Sequence, residues 1–275
     1  MNKKIKIPVS VLIPAKNEEI NLPKCLERLK RFDQIMLLDS QSSDNTILIA
    51  ESFGAEVHQF HWDGKFPKKR NWALRNLNIK NDWVLFLDAD EYVDEAFVNE
   101  VAQKVQSIEY VGFWITYTNV FMGKVLKYGY PLKKLPLFKL GAGEYEKIDE
   151  DSWSHLDMEV HEHPILDGKI GEIKTPVLHN DYKGMEHYIA KHNAYSSWEA
   201  HRFFNNGLAY EDMTLPQKIK YTLLKIGLLP LGFFIGSYIF MGGFLDGYQG
   251  YIVARYKANY FFQIQTKLKE LKSKK

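Results

Sequence analysis

The sequence predicts an α/β fold in which a mostly parallel β-sheet is sandwiched by helices and followed by a C-terminal helical extension. Over the first hundred residues, short apolar runs typical of strands buried on both faces alternate with segments whose apolar residues recur at helical spacing. The connections between them are short, as in successive βαβ units. Residues 226–244 form an uncharged run of a different kind, which sets the last part of the chain apart.

Four apolar runs predict the first strands of the sheet. They are PVSVLIPA at residues 8–15, QIMLLD at 34–39, a shorter run at 56–60, and WVLFLD at 83–88. Between them, helical spacing predicts a helix over 17–31, a helix that ends at residue 53, and a helix over 68–77. Because ligands of such sheets bind beyond the carboxyl ends of the strands, those ends are where we look for function.

The pattern changes after a further predicted helix at residues 94–106. Segments 112–121 and 133–138 resemble strands that extend the sheet in antiparallel fashion, and 185–204 is predicted to be helical. No repeat or low-complexity linker interrupts this part of the chain. We therefore predict one large domain over residues 1–210 and a smaller helical region over 211–275.

Composition excludes some classes of function. With 275 residues, of which 45% are hydrophobic, the chain supports a sizeable core. The 36 Lys and Arg against 34 Asp and Glu argue against nucleic acid as a partner. The single cysteine, Cys25, is predicted to be a buried helical thiol. Residues 1–6 are basic and lack the apolar stretch of a secretory signal, so we expect the large domain to be cytosolic.

The uncharged run at residues 226–244 is long enough to cross a bilayer, although Pro230 and several glycines weaken it as one helix. Lysines precede it at 218, 220 and 225, and basic residues follow it at 255 and 257, where they could contact anionic headgroups. We favour peripheral or re-entrant packing at the cytoplasmic face of a membrane. A full span and a buried core helix are the alternatives.

An acidic cluster follows the strongest strand. Asp88, Asp90 and Glu91 are three acids within four residues, and core packing does not explain them because close carboxylates repel. Alternation along an extended strand end would put Asp88 and Asp90 on one side, as needed to hold Mg²⁺ or Mn²⁺ against a diphosphate. The alternative is helix capping by Asp90 or Asp94. We prefer this helix-start role for Asp94 and Glu95, and expect Glu91 to help start the next helix.

A second acid ends the strand at 34–39. Asp39 precedes a polar turn in which Ser43 or Asp44 could cap the next helix. Asp39 itself lies at the same end of the predicted sheet as Asp88, where it could accept hydrogen bonds from a nucleobase or ribose. The two strand-end acids predict a single crevice.

The segments PVSVLIPAKNEE, MLLDSQSSDNT, KKRNWAL and WVLFLDADE, in this order over about residues 7–100, resemble family 2 glycosyltransferases with the Rossmann-like GT-A fold. The resemblance implies a nucleotide-sugar donor and a divalent metal held by Asp88 and Asp90. The residues that it places at the donor are Pro14, Ala15, Glu18, Asp39, Lys69, Arg70, Asn71, Asp88, Ala89 and Asp90. One departure is Ser40, where many members have a second acid.

The later chain is similar to a branch that includes glycosyltransferases of lipopolysaccharide-core assembly. The matching stretches are VHE at 160–162, HNDY at 179–182, NAY at 193–195 and GGFLDG at 242–247. The resemblance implies a nucleotide-binding half at 7–106, an acceptor half at 107–210 and a membrane-associated region after 211. It also implies a glycolipid, lipopolysaccharide or cell-surface polysaccharide precursor as the acceptor.

Inverting sugar transfer needs a group that takes the proton of the acceptor hydroxyl. Residues 157–163 supply several such groups: Asp157, Glu159, His161, Glu162 and His163. Glu162 is our first choice for this base and Glu159 the second, with solvated loop charges as the alternative. His179 follows a short apolar strand and is either a ligand of the metal or diphosphate, or a structural histidine.

These observations predict a metal-dependent, inverting hexosyltransferase that uses a UDP-sugar. A nucleotidyltransferase of similar fold is one alternative, but it would need a glycine-rich basic loop after the first strand, and AKNEE is neither. The other alternative is an inactive, membrane-tethered protein that binds a sugar or nucleotide. The sequence carries no prediction of oligomeric state.

Overall fold

The fold is taken from a computed structural model, which describes residues 6–148, 150, 153, 154, 157, 163–205 and 215–274. Its strands are β1 (Ile7–Ala15), β2 (Phe32–Asp39), β3 (Glu56–Gln59), β4 (Trp83–Phe86), β5 (Glu91–Tyr92), β6 (Gly112–Phe121), β7 (Lys124–Val125), β8 (Leu132–Lys139), β9 (Gly143–Tyr145), β10 (Pro164–Leu166) and β11 (Ile170–His179). Its α-helices are α1 (Leu22–Glu27), α2 (Thr46–Ser52), α3 (Lys69–Asn76), α4 (Glu95–Lys104), α5 (Met185–Asn205), α6 (Leu215–Ile226), α7 (Leu229–Phe234) and α8 (Gly247–Ser273). A π-helical segment (Ile235–Phe240) and a 3₁₀ helix (Gly243–Asp246) lie between α7 and α8.

One large sheet organises the first two thirds of the chain. Its strands lie in the order β3-β2-β1-β4-β8-β6-β11-β5, with β7 paired to β6. β3, β2, β1 and β4 are parallel neighbours, and β8 is antiparallel to both β4 and β6. The predicted α/β class is confirmed, and the antiparallel strands extend the sheet beyond β4.

Helices cover both faces of this sheet because the side chains of its strands alternate. Val11 and Ile13 of β1 pack into a cluster with apolar residues of α1, α2 and α4. Leu12, between them, packs on the opposite face with Ala73 of α3. The predicted sandwich of helices around the sheet is therefore confirmed.

The helix predicted over residues 17–31 is much shorter, because its first part is a loop. Asn17 has a left-handed backbone (φ 56°), which an asparagine tolerates, and its side-chain oxygen accepts a hydrogen bond from Ser43 N at 2.8 Å. The loop after β1 is thereby joined to the loop after β2. Cys25 in α1 is buried, as predicted.

The predicted cap of the helix after the acidic cluster is confirmed. The carboxylate of Asp94 accepts a hydrogen bond from Phe97 N at 2.8 Å, and α4 begins at Glu95. This bond satisfies one of the amide groups that the start of a helix leaves without an intrahelical acceptor.

The described residues divide into two compact units. The first contains those of Met1–Thr118, Leu132–Asp151 and His155–Asp181, and the second those of Asn119–Pro131, Ser152–Ser154 and Tyr182–Lys275. The domain boundary that we predict at residue 210 lies outside the described residues.

The uncharged run at 226–244 is divided among several short helices in the second unit. α6 ends at Ile226, Gly227 adopts φ 85°, and α7 begins at Leu229. Among the described residues, no single helix has the length and apolar composition of a membrane span. Leu229–Phe240 and Gly243–Ser273 satisfy that criterion only as a pair, bent by 71°.

We expect Gly250→Ala to destabilise the second unit, because a Cβ there would lie 2.0 Å from Gly243 O. Such overpacking costs about 2 kcal/mol or more, or a fall of about 5 °C in Tm. Gly232→Ala is the matched control, since its Cβ would meet nothing within 4 Å. It should leave Tm unchanged or slightly raised, because alanine favours helix. Thermal unfolding measures both, and equal Tm values would contradict the close packing.

Candidate functional site

The carboxyl ends of three parallel strands meet at one edge of the sheet. Ala15, the last residue of β1, is paired in register with Asp39, the last residue of β2. Leu12 of β1 is paired with Phe86 of β4, so the chain that leaves β4 reaches Asp88 beside the end of β1. Both acids thus lie at the carboxyl edge of the same parallel strands, and their predicted sharing of one crevice stays a prediction.

Asp39 is fully buried and organises the loop that follows it. Its carboxylate accepts hydrogen bonds from the backbone N–H and the hydroxyl of Ser42, and from Gln59 Nε2 at 3.1 Å. In this structure Asp39 holds the loop and the end of β3. Its predicted contact with a base stays a prediction.

The end of β1 and the loop after it carry three more of the predicted donor residues. Pro14 and Ala15 are buried at the strand end. Glu18 N donates to Thr46 Oγ1 at 2.8 Å, and Glu18 Oε2 accepts from Asn21 Nδ2 at 2.8 Å. These bonds fix the loop against the start of α2.

Three successive basic residues at the start of α3 pair with three different acids. Lys68 Nζ lies 2.6 Å from Glu150 Oε1, and both side chains are buried. The other two pairs are Lys69 with Asp157 at 3.2 Å and Arg70 with Asp88 at 3.1 Å. This segment therefore links the end of β4 to residues 150 and 157.

Asn71, also predicted at the donor, is fully buried. Its side-chain amide donates to Tyr145 O and accepts from Tyr145 N, each at 2.9 Å. These two bonds satisfy backbone groups at the end of β9. The amide of Asn71 thus joins α3 to β9, and its predicted proximity to a donor stays a prediction.

The acidic cluster forms a turn, which corrects the expectation of an extended strand end. β4 stops at Phe86, and Glu91 N donates to Asp88 O at 2.9 Å. Ala89 is buried in the core. The side chains of Asp88 and Asp90 are therefore not arranged by strand alternation, because the turn breaks it.

Glu91 has a different role from the one that we predict. It lies in β5, is buried, and accepts from Asp88 N at 3.0 Å and from Lys134 Nζ at 2.6 Å. Lys134 Nζ is also 3.2 Å from Asp88 Oδ2 and 4.8 Å from the ring centroid of Tyr117. Glu91 does not start α4, because its carboxylate points to Lys134 on β8 instead.

Charge pairing sets the protonation of this cluster. Burial raises the pKa of Asp88, but the positive charges of Lys134 and Arg70 outweigh it and hold that pKa well below its usual range. Glu91 is more deeply buried, and burial raises its pKa to about 7 against the attraction of Lys134. Burial lowers the pKa of Lys134, yet Glu91 and Asp88 hold it well above its usual value. Lys134 is therefore a cation beside an ionised Asp88.

Lys134 is the site residue that our sequence reasoning missed. The pair Lys133-Lys134 within a predicted strand could have indicated it. Successive side chains of a strand point to opposite faces of the sheet, so one of the two lysines must face inwards. Lys133 pairs with Glu172 on the exposed side, at 2.7 Å. Lys134 faces the acidic turn.

Strand pairing brings His179 to the acidic turn. His179, at the end of β11, is in register with Glu91 of β5, and Asn180 N donates to Asp90 O at 2.9 Å. His179 Nε2 lies 3.8 Å from Asp90 Oδ1, and both side chains are mostly buried. The three predicted metal ligands thus lie around one turn. Within the described ranges, no group of three His, Cys, Asp or Glu is arranged to hold a metal ion.

The two predicted bases, Glu159 and Glu162, lie outside the described residues. Asp157 of the same segment is described: its carboxylate accepts a hydrogen bond from Ser40 Oγ and pairs with Lys69. Burial raises the pKa of Asp157, but Lys69 and the Ser40 bond lower it below its usual value. Asp157 therefore supplies a negative charge next to Ser40, the position where the resemblance leads us to expect an acid.

Comparison with known proteins identifies the class to which this fold and site belong. The family model described as glycosyl transferase family 2 matches residues 10–154, just over half of the chain. This chain belongs to glycosyl transferase family 2, and its fold is GT-A, as the resemblance implied.

Relatives extend the similarity along the whole chain. The lipopolysaccharide core biosynthesis glycosyltransferase LpsC of Rhizobium meliloti (strain 1021) is 27% identical over 96% of this chain and 92% of LpsC. An uncharacterised glycosyltransferase of Rickettsia conorii is 26% identical over 100% and 95%. Among solved structures, Staphylococcus aureus TarS with UDP-GlcNAc is 15% identical over 97% and 92% of the two chains, with a TM-score of 0.46. Mycobacterium tuberculosis glucosyl-3-phosphoglycerate synthase with Mn²⁺ and UDP is 22% identical over 41% and 44%, with a TM-score of 0.32.

Proposed function

We propose that this family 2 glycosyltransferase moves a sugar, with inversion, from a UDP-sugar donor to a glycolipid, lipopolysaccharide or cell-surface polysaccharide precursor. The observation that carries the proposal is the turn after β4, where Asp88 and Asp90 lie with His179 at the carboxyl edge of the parallel strands. Three elements of the sheet converge there. A crevice at the carboxyl ends of parallel strands is where α/β sheets bind nucleotides.

In this proposal the first half of the chain holds the donor. The uridine lies along the ends of β1 and β2, next to Pro14, Glu18 and Asp39, and the ribose and diphosphate lie along the turn at 88–90. Arg70 and Lys134 each contact one oxygen of Asp88, so they fix the orientation of its carboxylate. Lys69 and Arg70 add positive charge towards the diphosphate.

A divalent cation, Mg²⁺ or Mn²⁺, is part of the proposal: Asp90 and His179 would supply two of its ligands, and the donor diphosphate would supply others. Asp90 offers carboxylate oxygens and His179 an imidazole, a donor set that Mn²⁺ accepts and that Mg²⁺ can share through its carboxylate. Asp88 fits less well as a ligand because two cations already hold it. We therefore assign the principal ligand role to Asp90. When bound, the cation stabilises the charge of the departing diphosphate.

The proposed acceptor is supported by one relative and by the apolar and basic composition of residues 211–275. LpsC acts in lipopolysaccharide core biosynthesis, and its similarity extends over nearly all of this chain. We place the acceptor at the cytoplasmic face of a membrane, with the large domain in the cytosol. Glu162, or else Glu159, takes the proton of the acceptor hydroxyl in this proposal.

The test is a donor screen with the full chain. UDP-sugars and GDP-sugars are incubated with Mn²⁺ or Mg²⁺, and the released nucleotide is measured with and without an acceptor lipid fraction. We expect release from a UDP-sugar that chelation with EDTA abolishes. Titration calorimetry with UDP provides a readout independent of the acceptor. No binding of UDP and no turnover of any donor would overturn the proposal.

A further inference from the structure

The C-terminal region carries a charge very different from that of the rest of the chain. Residues 215–275 contain ten Lys and Arg against two Asp and Glu, whereas the whole chain has a net charge of only +2. One of the two acids, Asp246, is buried. The surface of this region is therefore strongly basic, and the remainder of the chain is acidic.

The same region exposes large apolar side chains at the bend between α7 and α8. We call this group the apolar corner: Ile239, Phe240, Met241, Phe244, Leu245 and Tyr248. Phe240 is 83% exposed, and the other five are each at least about two fifths exposed. Exposed apolar groups that gather at one place mark an interaction surface rather than incidental exposure.

Ring contacts connect one corner residue, Phe244, to neighbouring aromatic side chains through Tyr238. Tyr238 lies against Phe234 and Tyr251, with ring centroids 5.3 Å and 5.7 Å away. It also contacts Phe244 at 6.3 Å. The aromatic side chains of the π-helical segment, the 3₁₀ helix and α8 thus meet around Tyr238.

Buried contacts hold the corner in its shape. The carboxylate of Asp246 accepts from Lys127 N at 3.0 Å and from Tyr128 N at 2.9 Å, and Lys124 Nζ donates to Asp246 O at 2.6 Å. Gly129 N donates to Met241 O at 3.0 Å. Lys124 of β7 and the loop between β7 and β8 therefore hold both sides of the bend, so the exposed side chains project from a preformed structure.

We propose that the apolar corner inserts into the headgroup region of an anionic lipid bilayer. The inference rests on the membrane-bound acceptor of the proposed function and assigns the contact to named side chains. Aromatic rings with a polar tip, such as Tyr248, favour the boundary between headgroups and acyl chains. The basic residues of 215–275 supply the attraction to anionic lipid. A second copy of this chain fits less well as an occupant, because two such basic regions would repel each other.

Vesicle co-sedimentation of the full chain tests the proposal. The corner variant is Phe240→Asp with Leu245→Asp, and the matched control is Leu48→Asp with Ile108→Asp, two exposed apolar positions of the first unit. We expect wild type and control to sediment with vesicles of phosphatidylglycerol and phosphatidylcholine, and to bind phosphatidylcholine alone weakly. The corner variant should lose binding by about tenfold or more. Because all four positions are exposed, circular dichroism should show unchanged folding.

Insertion of the apolar corner into the bilayer can be measured separately from vesicle binding, by tryptophan fluorescence. No tryptophan lies in residues 215–275, so Phe240→Trp introduces a local probe. Its added fluorescence should shift to the blue with vesicles and be quenched by brominated lipid, whereas that of Ile108→Trp should not change. Equal vesicle binding by the corner variant and the control would overturn the proposal. So would a dimer, found without lipid by sedimentation velocity, that only the corner variant loses. Vesicle binding without UDP binding and without turnover of any donor would leave this proposal standing and the proposed function refuted.

Discussion

Asp90→Ala is expected to lower sugar transfer by about 10²–10³-fold while the protein stays folded. Asp90 lies in the turn after β4, 3.8 Å from His179, and is the carboxylate that we assign to the metal and diphosphate. Removing a group that stabilises the charge of a leaving group has an effect of this size. The measurement is the initial rate of transfer at saturating donor, with calorimetry of Mn²⁺ binding in the presence of UDP as the second readout.

Asp94→Ala is the matched control, since it removes an acid four residues away. Asp94 caps α4 through Phe97 N, so this variant should lose about 1 kcal/mol of unfolding free energy and keep the wild-type rate. Two results would contradict the assignment: an Asp90→Ala enzyme with near wild-type transfer, or an equal loss of rate in both variants.

Lys134→Met is expected to destabilise the protein and to slow transfer. Its ammonium group contacts both Asp88 and the buried Glu91, which would be left without their shared counter-ion. Breaking a buried ion pair from one side costs several kcal/mol. Because the Lys134 side chain is 31% exposed, we expect about 3 kcal/mol, measured by urea unfolding. Transfer should fall about tenfold or more, as when a partner that orients a ligand is removed.

The neighbouring lysine offers a control with the same chemistry. Lys133 pairs with Glu172, and both side chains are about half exposed, so Lys133→Met should change stability by less than about 1 kcal/mol. Adding Glu91→Gln to Lys134→Met should recover part of the lost stability, because it replaces a buried carboxyl group that has lost its partner Lys134 with a neutral amide. A Lys134→Met protein as stable as Lys133→Met would show that the cluster does not depend on Lys134.

Local patterns in the sequence predict several features well. The strand at 112–121 has the predicted bounds, and β1, β2 and β8 differ from prediction by only a residue or two at their ends. Asp94 caps a helix and Cys25 is buried, as predicted. A strand buried on both faces appears in the sequence as a continuous apolar run, and a helix cap appears as a polar residue just before the helix. Both features can therefore be recognised from neighbouring residues in the sequence.

Other features depend on contacts between segments that are far apart in the sequence, which neighbouring residues do not reveal. The helix predicted over 17–31 begins only at Leu22, because Asn17 bonds to the loop after β2. The apolar run at 226–244 is folded into a bend that Asp246 ties to a hairpin more than a hundred residues earlier. In both cases a hydrogen bond to a distant segment overrides the local preference.

By itself the sequence determined the α/β class, the strand that ends in Asp39, the strand before the acidic segment at 88–91, and the family to which the chain belongs. These follow from burial patterns and short motifs within single segments. Only the tertiary structure decided that Glu91 faces Lys134 rather than the start of α4, and that His179 lies beside Asp90. The order β4-β8 and the pairing of β5 with β11 place these residues together. A buried charge is stabilised by whichever opposite charge the fold brings to it, and that partner is set by strand order rather than by distance along the chain.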